Sequence, residues 1–205
     1  MTRVAHERLL WFTLVAGLMG VVVSGVFALL QPKPEPLPVR ARLPEFQFTR
    51  ETGEPFRSSD LAGHTWVAGF VFTRCQGICP RLAQSMAALE EQLQDVPSFR
   101  LVAFTVDPEY DTPEVLAAYA KTHRTAPARW TFVTGNRPEL WQLIGDGFLL
   151  GVAEGAETGD ELIVHSPKLV LVDGRGNIRG YYDGLEPEDV EQLAKDARRL
   201  ASEGS

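Results

Sequence analysis

Trp66-Val67-Ala68-Gly69-Phe70-Val71-Phe72-Thr73-Arg74-Cys75-Gln76-Gly77-Ile78-Cys79-Pro80 is the stretch on which the fold turns. Its first seven residues are apolar without alternation, the pattern of a strand buried on both faces. Pro80 suits the first turn of a helix, where its missing N–H costs no hydrogen bond. Leu82, Met86, Leu89 and Leu93 follow at helical spacing and form a core stripe, with Met86 a packing residue and not a thioether ligand. Between strand and helix stand both cysteines of the chain, Cys75 and Cys79.

Outward from this stretch, strands and helices alternate. Arg100 to Val106 reads as the next strand, Thr112 to Thr122 as a helix entered through Pro113, Trp130 to Thr134 as a third strand and Pro138 to Ile144 as a short helix. Lys168 to Val172 and Ile178 to Tyr182 flank Asp173-Gly174-Arg175-Gly176-Asn177, a hairpin signal, and Pro187 to Ala201 is a closing amphipathic helix. This order predicts an α/β domain of thioredoxin-like fold, a central mixed sheet flanked by helices.

Leu9 to Leu30 holds 22 residues without a charge, enough at about 1.5 Å per residue to cross a hydrocarbon core of about 30 Å. A cleaved signal peptide has a shorter apolar region, and Val23-Ser24-Gly25 makes a poor cleavage site, so an uncleaved transmembrane signal anchor is expected. Arg3 and Arg8 before the span are balanced by Lys33, Arg40 and Arg42 after it. Orientation therefore rests on the short tail, 1–8, which suits a cytoplasmic start, and on a dithiol that belongs where oxidation is permitted. The expected location is the bacterial inner membrane, crossed once, with the domain on the periplasmic side. Gln31 to Arg42, with prolines at 32, 34, 36 and 38, reads as a polyproline II tether reaching up to about 37 Å, and 43–205 as one domain. Residues 1–42 hold five Lys/Arg against two Asp/Glu, so of the chain's net charge of −7 the domain carries −10, which argues against a nucleic-acid partner.

A dithiol that uses every cysteine of the chain is built to carry electrons or to hold a soft metal ion. A merely structural disulfide is the weaker reading, because closing five residues stabilises by about 2 kcal/mol against about 3 for fifteen. At the start of a helix, free N–H groups and the helix dipole favour an anion, so a thiolate is expected to form readily at Cys79. Thiolates serve both disulfide exchange and soft-metal binding, and the environment does not choose between them. Three residues separate the cysteines, one more than in thioredoxin-type exchange sites, which lets both sulfurs face one ion. Two thiolates suit Cu(I) and are too few for structural zinc, so a third ligand is expected from elsewhere in the chain.

Of the four histidines, His6 precedes the span, while His64 in a turn and His123 at a helix end read as surface residues. His165, in Glu161-Leu162-Ile163-Val164-His165-Ser166, enters a late strand that in a thioredoxin-like sheet lies beside the dithiol loop. That placement suits a metal ligand, while a lone histidine is as often structural; both readings stay open on the residues alone.

Phe72-Thr73-Arg74-Cys75-Gln76-Gly77-Ile78-Cys79-Pro80 resembles the Phe-Thr-x-Cys-Pro-x-x-Cys-Pro signature of the Sco/SenC proteins, which assist copper assembly of cytochrome c oxidase. Phe104 to Pro113, Trp130 to Gly135, and Val164-His165-Ser166 with Leu171-Val172-Asp173 resemble the family's further motifs, in the same order. The resemblance implies a thioredoxin-like fold and one copper ion, as Cu(I) and also Cu(II), bound by Cys75, Cys79 and His165. It implies delivery of that copper to the binuclear centre of oxidase subunit II or another copper-receiving protein, or reduction of that partner's cysteines beforehand. Gln76 and Gly77 depart from the family's Pro-Asp, and Tyr110 stands where arginine is common, which softens the loop and changes the surface a partner meets. Ser166-Pro167 places an X-Pro bond immediately ahead of the late strand.

A carrier is thus expected more than a catalyst. Its rival is a thiol-disulfide oxidoreductase with Cys75 and Cys79 as the redox pair and no need of a histidine. A peroxiredoxin-type peroxidase ranks behind both, since Thr73 stands two residues before Cys75, one short of that class's spacing.

Overall fold

In the computed structural model of the chain, the described residues are 35–124, 126–150 and 167–203, with 11, 13, 17–20, 22–23 and 25 of the N-terminal segment. The chain divides into two compact units, Met1–Pro36 and Leu37–Ser205. In the first, the described residues between 11 and 25 are helical and exposed, and most of the expected span from Leu9 to Leu30 lies outside them. Among the described residues no helix is long and apolar enough to cross a membrane.

The second unit is an α/β domain. Its strands are β1 (Ala41–Arg42), β2 (Gln47–Arg50), β3 (Pro55–Arg57), β4 (Thr65–Val71), β5 (Phe99–Thr105), β6 (Trp130–Thr134), β7 (Lys168–Val172) and β8 (Asn177–Asp183). Its helices are α1 (Ile78–Gln92), α2 (Pro113–His123), α3 (Arg137–Gln142), which continues into a π-helical turn Leu143–Gly147, and α4 (Pro187–Glu203). Among the described residues they build one eight-stranded mixed sheet in the order β1-β8-β7-β4-β5-β6-β2-β3. β4, β5 and β6 run parallel, while β7 lies antiparallel to β4 with Ala68 opposite Val170.

The unbroken apolar run from Trp66 places β4 at the centre of this sheet, with all seven of its residues buried. Alternate side chains feed two cores. Val67 and Val71 join Leu82, Met86, Leu89 and Leu93 of α1, Leu116 of α2 and Leu193 of α4 on one face. Trp66, Ala68 and Phe70 join Phe48, Phe56, Phe104, Leu140 and Phe148 on the other. Each fully buried side chain of the α1 stripe contributes about 1.5–3 kcal/mol of burial. Gly69 lets α1 approach this closely, because a Cβ there would lie 2.6 Å from the Met86 sulfur.

The expected central elements are present, with ends shifted by one or two residues. α1 begins at Ile78, so Pro80 lies within its first turn, where N–H groups have no helical partner anyway. Two features differ from expectation. The hairpin β2–β3 extends the far edge through β2 against β6, a pairing of residues some eighty positions apart (Thr49 with Thr134) that local patterning does not reveal. Residues 37–42, read from the sequence as part of the tether, belong to the folded unit: β1 pairs with β8, and the Arg179 guanidinium donates to the Leu37 and Pro38 carbonyls.

Candidate functional site

The dithiol loop leaves the C-terminal end of β4 and turns at once into α1. Cys75 N–H donates to the Phe72 carbonyl at 3.2 Å, which closes the turn and lifts the Cys75 sulfur to the mouth of the helix. Cys75 is half-buried, Cys79 is 3% exposed, and both are free thiols. The Cys79 N–H points at the Cys75 sulfur, 3.4 Å away.

This arrangement reverses the expected assignment of the thiolate. Burial would raise the Cys75 pKa, but hydrogen bonds from the Cys79 thiol and from the N–H groups of Cys79, Gly77 and Ile78 outweigh it, and the pKa falls below its ordinary value. Burial, together with the hydrogen bond to Cys75, pushes the Cys79 thiol up to about 12. The N–H groups of a helix's first turn point outward past its end, so they serve the sulfur before the helix and not the one inside it. Of the two, Cys75 is the sulfur that loses its proton more readily, and Cys79 is the proton-bearing sulfur beneath it.

A second loop, from Val106 to Thr112, supports the first. The Asp111 carboxylate, 0% exposed, accepts from Thr73 N–H at 3.3 and 3.2 Å, from the Thr73 hydroxyl at 2.5 Å and from the Thr105 hydroxyl at 2.5 Å. Burial raises the Asp111 pKa even against these hydrogen bonds. Asp107 pairs with Arg74 at 2.5 Å, and the Arg74 guanidinium lies 4.4 Å above the Tyr110 ring. Both residues ahead of Cys75 are therefore held by carboxylates of one loop, and Tyr110, 47% exposed, forms the neighbouring surface. Below, packed against the core cluster that holds Cys79, the Tyr119 hydroxyl is buried without a hydrogen-bond partner among the described residues. Burial, with the charges of Cys79, Cys75 and Asp111, raises its pKa. Reading the sequence missed Asp111, Thr105 and Tyr119 as site residues. The available signal was two aspartates four apart in Asp107-Pro108-Glu109-Tyr110-Asp111, ahead of a helix cap.

The histidines divide as follows. His64 lies before the first residue of β4 while the dithiol follows its last, so the seven-residue strand of about 23 Å separates them. His123 ends α2, stacked on Tyr119 at 4.1 Å with Nδ1 2.9 Å from the Tyr119 carbonyl oxygen. His6, His165 and Ser166 lie outside the described residues. Among the described residues no group of three or more His, Cys, Asp or Glu side chains could hold a metal ion. The described residues continue from Pro167, immediately before β7, whose antiparallel register carries its start to the C-terminal end of β4, the end from which the dithiol loop departs. Gly184 N–H donates to the Pro167 carbonyl at 2.8 Å, and Gly184 also lies against Leu82 of α1, one turn beyond Cys79.

The fold and the loop both have counterparts. A family model described as SCO1/SenC matches residues 36–202. A protein of Stutzerimonas stutzeri named for copper binding is 32% identical over 159 residues, covering 73% of this chain and 76% of that one. The crystal structure of a SCO1/SenC family lipoprotein from Bacillus anthracis has a TM-score of 0.73 at 31% identity, covering 80% of this chain and 97% of that one. BsSco, described as a Sco-family cytochrome c oxidase assembly protein with a disulfide switch, also has a TM-score of 0.73, at 26% identity over 83% of this chain and 99% of that one. The match runs from the edge of the first strand almost to the end of α4 and includes the dithiol loop, the aspartate loop and the approach to β7, and on that ground the chain belongs to the SCO1/SenC family.

Proposed function

We propose that this chain is a membrane-anchored copper carrier that binds one copper ion through Cys75, Cys79 and His165 and passes it to the binuclear copper site of cytochrome c oxidase subunit II. The observation that carries the reading is the convergence at one end of β4: two free sulfurs in a loop at the helix mouth, and the chain that follows His165 entering β7 at that same end. The copper named in the Stutzerimonas stutzeri relative and the oxidase assembly named for BsSco support it. Soft thiolates and an imidazole suit Cu(I) and leave room for an incoming partner thiolate, so the ion moves by stepwise ligand exchange without release. Cys75, the sulfur at the mouth of the helix, is the ligand a partner meets first. The apolar run from Leu9 to Leu30 supports a single-pass anchor in the bacterial inner membrane, with the domain on the periplasmic side.

Anaerobic competition titration of the reduced chain tests the ligand set. One Cu(I) per chain is expected, with strong weakening in His165→Ala and loss in Cys75→Ser. Equal affinity of wild type and His165→Ala would remove His165 from the site.

A second reading draws on the asymmetry of the two sulfurs. A low-pKa Cys75 above a buried Cys79 is the arrangement of a thiol-disulfide reductase. The Cys75 thiolate attacks a partner disulfide and releases one partner thiolate. Cys79, losing its proton to solvent, then attacks the mixed disulfide, releasing the second partner thiolate and leaving Cys75–Cys79 oxidised. Turnover on a disulfide substrate without measurable Cu(I) affinity would select this reading over the carrier.

A further inference from the structure

The loop from Val106 to Thr112 supplies no metal ligand, yet it holds a buried carboxylate with an unusual set of partners. Asp111 is wholly buried, and every hydrogen bond it accepts comes from a neutral group: Thr73 N–H, the Thr73 hydroxyl and the Thr105 hydroxyl. Among the described residues no salt bridge reaches it, and Arg74, whose guanidinium pairs with Asp107, acts on it only through space. Burying a carboxylate without a directly paired cation is costly, and a purely structural contact to two threonines would be met by a neutral side chain. What a carboxylate adds is acceptor capacity at both oxygens. Oδ1 takes the Thr73 hydroxyl, Oδ2 takes the Thr105 hydroxyl, and the Thr73 N–H lies between them. Thr105 is the last residue of β5, and its hydroxyl also accepts from Asp107 N–H at 3.0 Å. The central sheet, the aspartate loop and the residue two places before Cys75 are thereby fastened at one point.

We propose that Asp111 is the positioning residue of the dithiol loop: anchored to β5 through Thr105, it fixes Thr73 and with it the presentation of the Cys75 sulfur to copper or to a partner sulfur. The copper part of this rests on the function proposed above; the fixing of the loop does not.

The full-length reduced chain is compared with Thr105→Val, Thr105→Ser and Asp111→Asn by two readouts, anaerobic Cu(I) affinity and the dithiol–disulfide equilibrium in glutathione buffers. Thr105→Val removes the anchoring hydroxyl at nearly constant volume, and Asp111→Asn removes one acceptor oxygen. Each is expected to lower Cu(I) affinity about 10–100-fold, the effect of losing a support behind a metal ligand, and to shift the glutathione equilibrium severalfold. Thr105→Ser, which keeps the hydroxyl, is expected to restore both readouts to near wild type. A fall in melting temperature in Thr105→Val and Asp111→Asn with both readouts within twofold of wild type would overturn the proposal and leave Asp111 a plain structural residue. Should wild type bind no Cu(I), the carrier reading fails, and the glutathione equilibrium alone decides this one. Should Asp111→Asn not fold, the Thr105 pair decides it.

Discussion

Cys75 and Cys79 are four residues apart and chemically unlike. The first-turn N–H groups converge on Cys75 and lower its pKa, while burial raises that of Cys79 to about 12. Iodoacetamide applied to the reduced, metal-free chain should therefore label Cys75 first, with a rate that reaches half its maximum below pH 9.0, the ordinary thiol value, as peptide mapping across a pH series would report. Labelling of Cys79 at an equal rate at neutral pH would contradict the assignment. The direction of pH effects on stability follows for Cys79: its folded pKa lies above the unfolded value, so its contribution to stability is complete below about pH 9 and is lost as pH rises toward about 12. The sequence showed where the dithiol lies but led to the wrong sulfur. A helix start was correctly placed from Pro80, yet which cysteine its N–H groups address depends on the turn at Phe72–Cys75, and that turn depends on Asp111, 36 residues further on.

Elements differ in how they are held. β4 and α1 are fixed by apolar spacing, and both were legible because every residue of β4 is apolar or buried between two cores and every third or fourth side chain of α1 faces one of them. The β2–β3 hairpin is held otherwise. Glu51, which follows β2, pairs with Arg124 after α2 at 2.5 Å, accepts from Phe132 N–H at 3.0 Å, and lies with its partner almost out of solvent, at 6% and 12% side-chain exposure. Removing one partner of such a pair leaves a buried charge alone, so Arg124→Ala should cost about 3–5 kcal/mol in denaturant unfolding. The double variant Glu51→Gln/Arg124→Ala should cost less than Arg124→Ala. If Arg124→Ala costs under about 1 kcal/mol, the pair is not what fastens the hairpin. None of this was legible in the sequence, because strands of three or four residues give too little alternation to register and their partners are distant along the chain. Phe46, Phe48 and Phe56 are the trace that remained, with the Phe46 ring stacked on Phe48 at 5.7 Å and tilted against Phe56 at 6.1 Å on the second core.

For the whole molecule, the proposed anchor, the tether and the domain make separable predictions. Full-length chain should stay with membranes through alkaline carbonate washing, whereas a chain beginning at Leu37, where the folded unit starts, should be released. Release of both would remove the anchor from the proposal. Oxidising Cys75 and Cys79 to a disulfide should abolish copper loading, since both sulfurs are then spent, and a reductant should restore it. The sheet itself ends in strands of two and three residues, β1 at one rim and β3 at the other, and Pro55 opens β3 with no N–H to offer. Neighbouring copies meeting side by side would thus find hardly any free backbone ladder to extend among the described strands, which disfavours growth rim to rim into fibrils.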